Sequence, residues 1–324
     1  MSLIRDLTFK LANAVFLLLA VVVLNFCLIH AAPGDPAEVI AGEMGGATKE
    51  VLTAIRHQYG LDRPLPAQLG SYLVHILHGD FGYSYYFNES VVKLMLQRLP
   101  ATALLVIASL VIAVFVGTLL GVLSARRPNG LLSHFVSIFS LAGYAAPVFW
   151  TGLMLVVLFA AYIPLFPVNG MADVAHPKEG LAYMLDVLHH LTLPALTLGI
   201  VYIAQYSRLA RTSMIDALHA DYIRTARAKG LGEFIVIFKH ALRNAVIPVV
   251  TMVGLQFGNL LAGAVLVETV FGWPGLGRLV FESILRRDYP TLLGVLFFSA
   301  LLVMVANILT DMAYRLIDPR IRVR

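Results

Sequence analysis

Long apolar runs constrain this chain more than any other feature of its sequence. They cover residues 11–29, 101–124, 131–162, 193–207, 245–267 and 291–314. A membrane-spanning helix needs about 20 mainly apolar residues, and only helices and closed barrels satisfy every backbone polar group within hydrocarbon. A membrane barrel would show short segments of alternating polarity, which this sequence lacks. We therefore predict an all-α membrane protein with six transmembrane helices.

Composition agrees with this fold class. Hydrophobic residues make up 59% of the chain and charged residues 13%, whereas soluble domains have about 45–50% and about 25%. The single cysteine, Cys27, excludes a disulfide within the chain and a cysteine-based metal site. The net charge of +5 would suit nucleic acid, but its distribution points to membrane orientation, so we predict no nucleic-acid partner.

The first apolar run has a rival interpretation as a cleaved signal peptide. Such a peptide has an apolar region of about 7–15 residues that ends at a small-residue cleavage site. The run over 11–29 follows Arg5 and Lys10 and is longer. We expect a retained helix.

Charge predicts the orientation. With the N-terminus in the cytoplasm, the inner segments hold 15 basic and 6 acidic residues, and the outer segments hold 9 and 13. Basic residues in short loops favour the cytoplasmic side, although a loop as long as 31–100 escapes the rule. We predict cytoplasmic N- and C-termini in a multi-pass protein.

The apolar pattern also predicts internal features. Pro147 predicts either a kink within 131–162 or a short interfacial helix that leads into the membrane segment, and Pro194 suits the first turn of the fourth helix. Within the outer region, residues 48–59 and 68–77 are predicted helices, the first with Thr48 as its N-cap. Two small-residue spacings, Gly117-x-x-x-Gly121 and 254–258, predict close helix packing.

A basic segment, 208–244, lies between the fourth and fifth spans and contains "DYIRTARAKGL" (221–231). Good helix formers over 213–229 form one apolar stripe, and Gly230 suits the C-terminal cap. A second, shorter helix is predicted over 232–243. The stripe comprises Met214, Ile215, Leu218, Tyr222, Ile223 and Ala226. An amphipathic helix of this kind fits either an anionic membrane surface or a groove on a partner protein.

Few polar residues fall at membrane depth. Gln256 and Asn259 are three residues apart on the fifth span and so share a face. They fit either interhelical hydrogen bonding or a polar lining of a translocation path, and we favour the lining. The alternative of a stand-alone intramembrane enzyme would need converging ionisable groups, and the single charged candidate, Asp311, lies near the predicted cytoplasmic end of the sixth span, so we do not favour it.

Sequence motifs that mark common nucleotide-binding and catalytic sites are missing from the sequence. It contains no Gly-x-x-x-x-Gly-Lys-Ser/Thr phosphate loop, so we expect no ATP site in this chain. The zinc motif His-Glu-x-x-His and the nucleophile motif Gly-x-Ser-x-Gly are also missing. For His189 and His190, which point about 100° apart on a helix, we predict polar interface roles rather than metal binding.

Ordered motifs along nearly the whole chain resemble the permeases of ABC importers in the peptide/nickel family, closest to dipeptide and oligopeptide permease B subunits. Against the general Glu-Ala-Ala coupling motif of such permeases, Ala226, Gly230 and Leu242 match, whereas Arg224 and Thr225 replace the Glu and the first Ala. The peptide-permease form fits better. The further motifs are "PGDPA" (33–37), "YGLDRPL" (59–65), "GDFGYS" (79–84), "RLPATALL" (98–105), "GYAAPVFW" (143–150), "HLTLPALTLG" (190–199), "LLAGAVLVETVFGWPGLGRL" (260–279) and "IDPRIR" (317–322).

The resemblance implies a function and a set of partners. The chain would be one transmembrane subunit of an ATP-driven importer in a bacterial inner (plasma) membrane, for di- or oligopeptides or alternatively for nickel or another small solute. Its partners would be a second, homologous permease subunit, two ATPase subunits that bind ATP and Mg, and an outer substrate-binding protein. This chain would bind no cofactor or metal and would have no catalytic residue. ATPase coupling would fall to Asp221, Tyr222, Arg224, Thr225, Ala226, Arg227, Lys229, Gly230 and Leu231.

The resemblance also implies an organisation of the chain. Residues 1–30 form an N-terminal segment with the first transmembrane helix, 31–100 an outer loop region, and 101–324 a permease core with five transmembrane helices. The outer region would be a folded cap or a docking platform for the binding protein. The loop "FGWPGLGR" (271–278) would either close an outer gate or only shape the turn, and both alternatives stay open.

Overall fold

The structure is a computed structural model that describes residues 2–31, 37–38, 41, 48–58 and 61–317. Helix dominates these residues, as the apolar runs predict. The chain forms two compact units, Met1–Pro100 with Leu279–Val305 and Ala101–Arg278 with Ala306–Arg324. The predicted boundaries at residues 30 and 100, which separate the N-terminal segment, the outer loop region and the permease core, remain a prediction.

Helices, with a short hairpin among them, follow one another along the described part of the chain. The helices are α1 (Ser2–Ala31), α2 (Lys49–Gln58), α3 (Leu65–Leu77), α4 (Val91–Ala125), α5 (Leu131–Ala145), α6 (Val148–Val156, with a π-helical turn over Val157–Tyr162), α7 (Gly180–Leu218), α8 (Asp221–Ala228), α9 (Glu233–Ile235, a π-helical turn over Val236–Ala241, then Leu242–Val270), α10 (Leu276–Arg286) and α11 (Tyr289–Ile317). Strands β1 (Tyr83–Ser84) and β2 (Glu89–Ser90) form an antiparallel hairpin.

Several described helices are long and apolar enough to cross a membrane. Four meet this standard alone, within Val91–Ala125, Gly180–Leu218, Glu233–Val253 and Tyr289–Ile308. The bent pair Leu131–Ala145 and Val148–Tyr162 provides a fifth if it counts as one span, and Ala12–Leu28 is a shorter apolar helix. A membrane protein with four to five candidate spans is therefore confirmed, whereas the count of six remains a prediction.

The predicted kink at Pro147 is a sharp bend. Helices α5 and α6 meet at 109°, with Ala146 and Pro147 both extended at ψ 132° and 135°. A residue before proline avoids the helical region because it clashes with the proline ring. The bend therefore ends one helix and begins another within a single apolar run.

The placement of Pro194 in a first turn was wrong. Helix α7 begins at Gly180, so Pro194 lies inside it. Polar side chains such as Asp186 and His190 interrupt the apolar run there, but both are buried and the helix continues through them. Membrane helices tolerate an internal proline because neighbouring groups satisfy the freed carbonyl.

Helix α7 is the centre of the second unit. In its most apolar window, 67% of residues are buried, against 22–28% in the other three single spans. It packs against α5, α6 and α9. The predicted Gly117 spacing packs α4 against it: a Cβ on Gly121 would lie 2.6 Å from the Cβ of Ala210, and one on Gly117 2.7 Å from that of Tyr206. Close approach of the two backbones therefore requires glycine.

In the first unit, the predicted outer helices are present. The Thr48 hydroxyl accepts a hydrogen bond from the backbone N–H of Val51 at 3.4 Å, which confirms its capping role for α2. The hairpin is tied to the start of α11, because the Ser84 hydroxyl donates to buried Asp288 at 2.5 Å. Asp288 in turn accepts the backbone N–H of Thr291 at 3.2 Å.

The loop between α6 and α7 is ordered by a carboxylate. Asp173 Oδ1 accepts backbone hydrogen bonds from His176 at 3.2 Å and Ala175 at 2.9 Å. These bonds, that of His176 foremost, favour the ionised form and hold the pKa of Asp173 below its usual value. Lys178 then pairs with Asp186 of α7 at 2.7 Å, which fixes the loop to the helix.

Candidate functional site

Helix α8 presents most of its surface to solvent. Only Ile223 and Ala226 are buried, at 0% and 6% exposure, three residues apart on one face. Of the predicted coupling residues, Ala226 is thus buried and Leu231 half-buried, whereas Asp221, Tyr222, Arg224, Thr225, Arg227, Lys229 and Gly230 are exposed. The exposed surface therefore has mixed charge with one aromatic ring.

A small apolar cluster supports the buried face of α8. Its buried members come from the ends of α4 and α7, from α8 and from the start of α9: Val122, Ala125, Met214, Ile223, Ala226, Val236, Ile237, Ala241 and Ala245. Residues on four elements thus share one core. Because packed side chains transmit displacement, α8 is fixed to these helix ends.

Gly230 ends α8 as predicted. Its φ is +78°, and its N–H donates to the Arg227 carbonyl at 2.9 Å. The N–H of Leu231 donates back to the Ala226 carbonyl at 3.4 Å, which completes a Schellman motif. No atom lies within 4 Å of a Cβ placed on Gly230, so the requirement for glycine is conformational rather than steric.

The two helices that we predicted for this segment differ from those observed. The helix over 213–229 is divided, because α7 ends at Leu218 and α8 begins at Asp221. The helix over 232–243 does not end at Arg243 but continues through Val236–Ala241 into the long apolar helix. A π-helical turn holds an extra residue, which lets the direction of side chains shift without breaking the helix.

The predicted polar pair on α9 is hydrogen bonded. Gln256 Nε2 donates to Gln205 Oε1 of α7 at 2.9 Å, and Asn259 Nδ2 donates to Gln256 Oε1 at 3.1 Å. Gln256 is 9% exposed, whereas Asn259 is exposed. The interhelical bond is therefore present, and Asn259 is the member of the pair that a solute could reach.

The histidine pair of α7 contacts the backbone. A ring nitrogen of His189 lies 2.7 Å from the Leu165 carbonyl, and one of His190 lies 2.9 Å from the Asp186 carbonyl. Among the residues that the structure describes, no group of three or more His, Cys, Asp or Glu side chains is placed to hold a metal ion.

Sequence reasoning missed Glu268, at the end of α9. This carboxylate is 0% exposed. Oε1 accepts the hydroxyl of Thr102 at 2.6 Å, and Oε2 accepts the backbone N–H of Arg278 at 3.0 Å. The Thr102 hydroxyl also accepts the N–H of Leu276 at 2.8 Å. A lone glutamate at the edge of an apolar run gave no signal of this network.

The network shapes the 271–278 loop. Phe271, Trp273 and Leu276 are buried, and the Trp273 indole donates to the Ala101 carbonyl at 2.8 Å. A Cβ on Gly275 would clash with the Glu268 carboxylate, and one on Gly277 would clash with the Cα of Val265. These contacts give the loop a structural role and explain its glycines by close approach.

Family models match almost the whole length of the chain. Residues 117–323 match the binding-protein-dependent transport system inner membrane component. Residues 3–106 match the N-terminal part of a binding-protein-dependent transport system membrane component.

Curated relatives and solved structures give a consistent result. A di/tripeptide transport system permease protein of Pseudomonas aeruginosa is 42% identical over 93% of this chain and 94% of its own. The dipeptide transport system permease protein of Escherichia coli K12 is 38% identical over 94% of each chain. A chain of the inward-facing MetNI methionine ABC transporter covers 70% of this chain, at 15% identity and a TM-score of 0.55, which shows a shared fold.

Proposed function

The chain belongs to the family of binding-protein-dependent transport system inner membrane components, the permease subunits of ABC importers, and we propose that it imports di- or oligopeptides. The observation that carries this substrate class is identity of 38–42% over at least 93% of the chain with permeases named for dipeptides and tripeptides. In such an importer the permease supplies a path rather than a reaction.

We propose six spans with both termini in the cytoplasm of a bacterium. The four single spans, the bent pair and α1 supply the six helices. The distribution of basic residues supports this orientation, since short basic segments such as 208–244 favour the cytoplasmic side. The protein would then be a multi-pass protein of the inner membrane.

We propose that α8 is the coupling helix. Its exposed face carries Arg224 and Arg227 beside Asp221 and Tyr222, and exposed Lys229 follows its last turn. This surface suits a groove of mixed charge on an ATPase subunit. The cluster beneath it joins the ends of α4, α7 and α9, so a push on α8 displaces three long helices together. ATP and Mg would bind to the ATPase subunits and no cofactor to this chain.

The proposed partners follow from the same assignment. A second permease would complete the path, one of two ATPase subunits would dock at α8 and the other on the second permease, and an outer binding protein would deliver the peptide. Asn259 would contribute polar contacts along the path, since an amide hydrogen bonds to the peptide groups of a substrate without requiring charge. Gln256, the other predicted lining residue, would orient Asn259 through their hydrogen bond.

Two measurements test the proposal. The importer is reconstituted in proteoliposomes with its ATPase subunits and binding protein, and uptake of a labelled dipeptide is followed with and without ATP. The binding protein is titrated with dipeptides, longer peptides and Ni²⁺. We expect ATP-dependent peptide uptake and peptide binding; binding of Ni²⁺ alone would refute the substrate class.

A further inference from the structure

A groove between α5 and α7 combines a basic end with an apolar wall. It has a volume of about 500 Å³. Arg208 and Arg211 of α7 and Leu141 and Tyr144 of α5 line it. Arg211 contacts Ser137, which precedes Leu141 and Tyr144 along α5. A groove with this division of charge and apolar surface matches an amphiphile with an anionic head.

The arginines of the groove lack an acidic partner within the described part of the chain. Arg211 donates to the Ser137 hydroxyl at 3.2 Å and to the Pro128 carbonyl at 3.1 Å, which are neutral acceptors. Arg208 forms no ion pair with any described residue. The sequence has no acidic residue over 101–172 or 187–215. Both charges are therefore available to an external anion.

Arg208 and Arg211 also lie just beyond the end of an apolar run, where a membrane-spanning helix would meet the headgroups. Arg208 directly follows the apolar run 193–207, and Arg126 and Arg127 end the neighbouring run and are exposed. Basic residues at such a boundary attract anionic lipids, and basic pockets between membrane helices bind their head groups.

The apolar wall is open to the side. Leu141 is 71% exposed and Tyr144 64% exposed. Ser140 and Ser207 also line the groove. Their hydroxyl groups share a hydrogen bond at 2.9 Å and carry no charge. An acyl chain along this wall would cover apolar surface while its phosphate stayed at the arginines.

We propose that this groove binds one anionic phospholipid, with its phosphate on Arg208 and Arg211 and an acyl chain against Leu141 and Tyr144. A free phosphate has the same head chemistry but no use for the apolar wall. The proposal needs a membrane-spanning chain and does not depend on the peptide assignment.

The test measures lipid affinity on the assembled importer. Native mass spectrometry follows retention of phosphatidylglycerol and of phosphatidylcholine as each is titrated into the detergent-solubilised complex. We expect tighter binding of phosphatidylglycerol and about fivefold weaker binding after Arg208→Gln, since one basic residue near the surface is removed. Arg208 makes no side-chain bond within the described residues, so this variant should fold. Exposed Lys239, away from the groove, gives the matched control Lys239→Gln.

Competition separates the possible occupants. Glycerol phosphate carries the head chemistry without acyl chains, and we expect it not to displace the lipid at equal concentration. Displacement by glycerol phosphate, or by excess dipeptide, would overturn the proposal in favour of a free phosphate or of the substrate. Equal affinity for both lipids, or equal losses in Arg208→Gln and Lys239→Gln, would also overturn it.

Discussion

Arg227 Nε lies 2.8 Å from Glu233 Oε1, so an ion pair spans the turn between α8 and α9. The two side chains are 45% and 56% exposed. Surface pairs of this kind contribute about 0–1 kcal/mol because water screens them. The conformation of the turn between the two helices must therefore depend mainly on its backbone hydrogen bonds. These require the positive φ of Gly230.

Gly230→Val is expected to reduce transport and substrate-stimulated ATPase activity while membrane insertion survives. A side chain in the left-handed region costs about 1–2 kcal/mol, and a β-branched one is the least tolerated. The strain would displace the end of α8. Uptake and ATP hydrolysis are measured together in proteoliposomes.

The control variants separate strain from bulk. Gly230→Asn should retain most activity, because Asn tolerates positive φ, and Gly232→Ala should change little, because its φ is −64° and nothing lies within 4 Å of a Cβ there. Unchanged coupling in Gly230→Val would reject the coupling assignment of α8.

The sequence predicted the parts of this site that depend on local chemistry. Gly230 follows a helical stripe, and a cap at that point needs positive φ, so its role was readable from the sequence. The break between Leu218 and Asp221 could not be predicted in this way. Residues 213–229 favour helix throughout, and the break arises from tertiary packing. The burial of Ile223 and Ala226 agrees with the predicted stripe, whereas Tyr222, which is 41% exposed, departs from it.

Features that depend on distant contacts were harder to predict. Glu268 reads as a charged residue at a span boundary, and its partner Thr102 is 166 residues away. The bend at Pro147 was predictable in position, since the residue before a proline leaves the helical region, but its angle follows from packing. Pro194 misled because a proline in a membrane helix need not mark its start.

Gly121→Ala is expected to lower stability by about 1–3 kcal/mol, the usual cost of overpacking a close contact. The new methyl group would meet the backbone of α7, where the Ser207 carbonyl lies 2.6 Å from the Cβ position. The thermal unfolding midpoint in detergent reports the change. Gly70→Ala in α3 is the matched control, since nothing lies within 4 Å there, and it should be neutral or slightly stabilising. Equal midpoints for the two variants would contradict close packing of α4 on α7.

Glu268→Gln is expected to destabilise the protein by about 1.5–3 kcal/mol, the range for a hydrogen bond to a charged group. The carboxylate accepts from Thr102 and from the Arg278 backbone, and an amide would turn its own donor towards one of them. Glu233→Gln, at an exposed pair, should cost less than about 1 kcal/mol. Unfolding midpoints are compared under one detergent condition, and similar losses would refute a structural role for the Glu268 network.

Gln205 and Gln256 should be coupled energetically. A double-mutant cycle with Gln205→Ala and Gln256→Ala isolates their hydrogen bond, and interhelical bonds in membranes contribute about 0.6 kcal/mol on average and about 1.7 kcal/mol at most. Stability of the two single variants and the double variant gives the coupling. A coupling of zero would show that the bond at 2.9 Å adds nothing to the packing of α7 and α9.

Asn259 distinguishes a translocation lining from a packing role. Cys27 is the single cysteine, so Cys27→Ala supplies a background for Asn259→Cys. If Asn259 lines the path, a water-soluble thiol reagent should modify the new cysteine, block uptake and react more slowly when peptide and ATP are present. Leu260→Cys is the matched control, because Leu260 is adjacent but 0% exposed and should resist the reagent. Modification at 259 that leaves uptake unchanged, or equal reactivity at 259 and 260, would reject the lining and leave Asn259 only its hydrogen bond to Gln256.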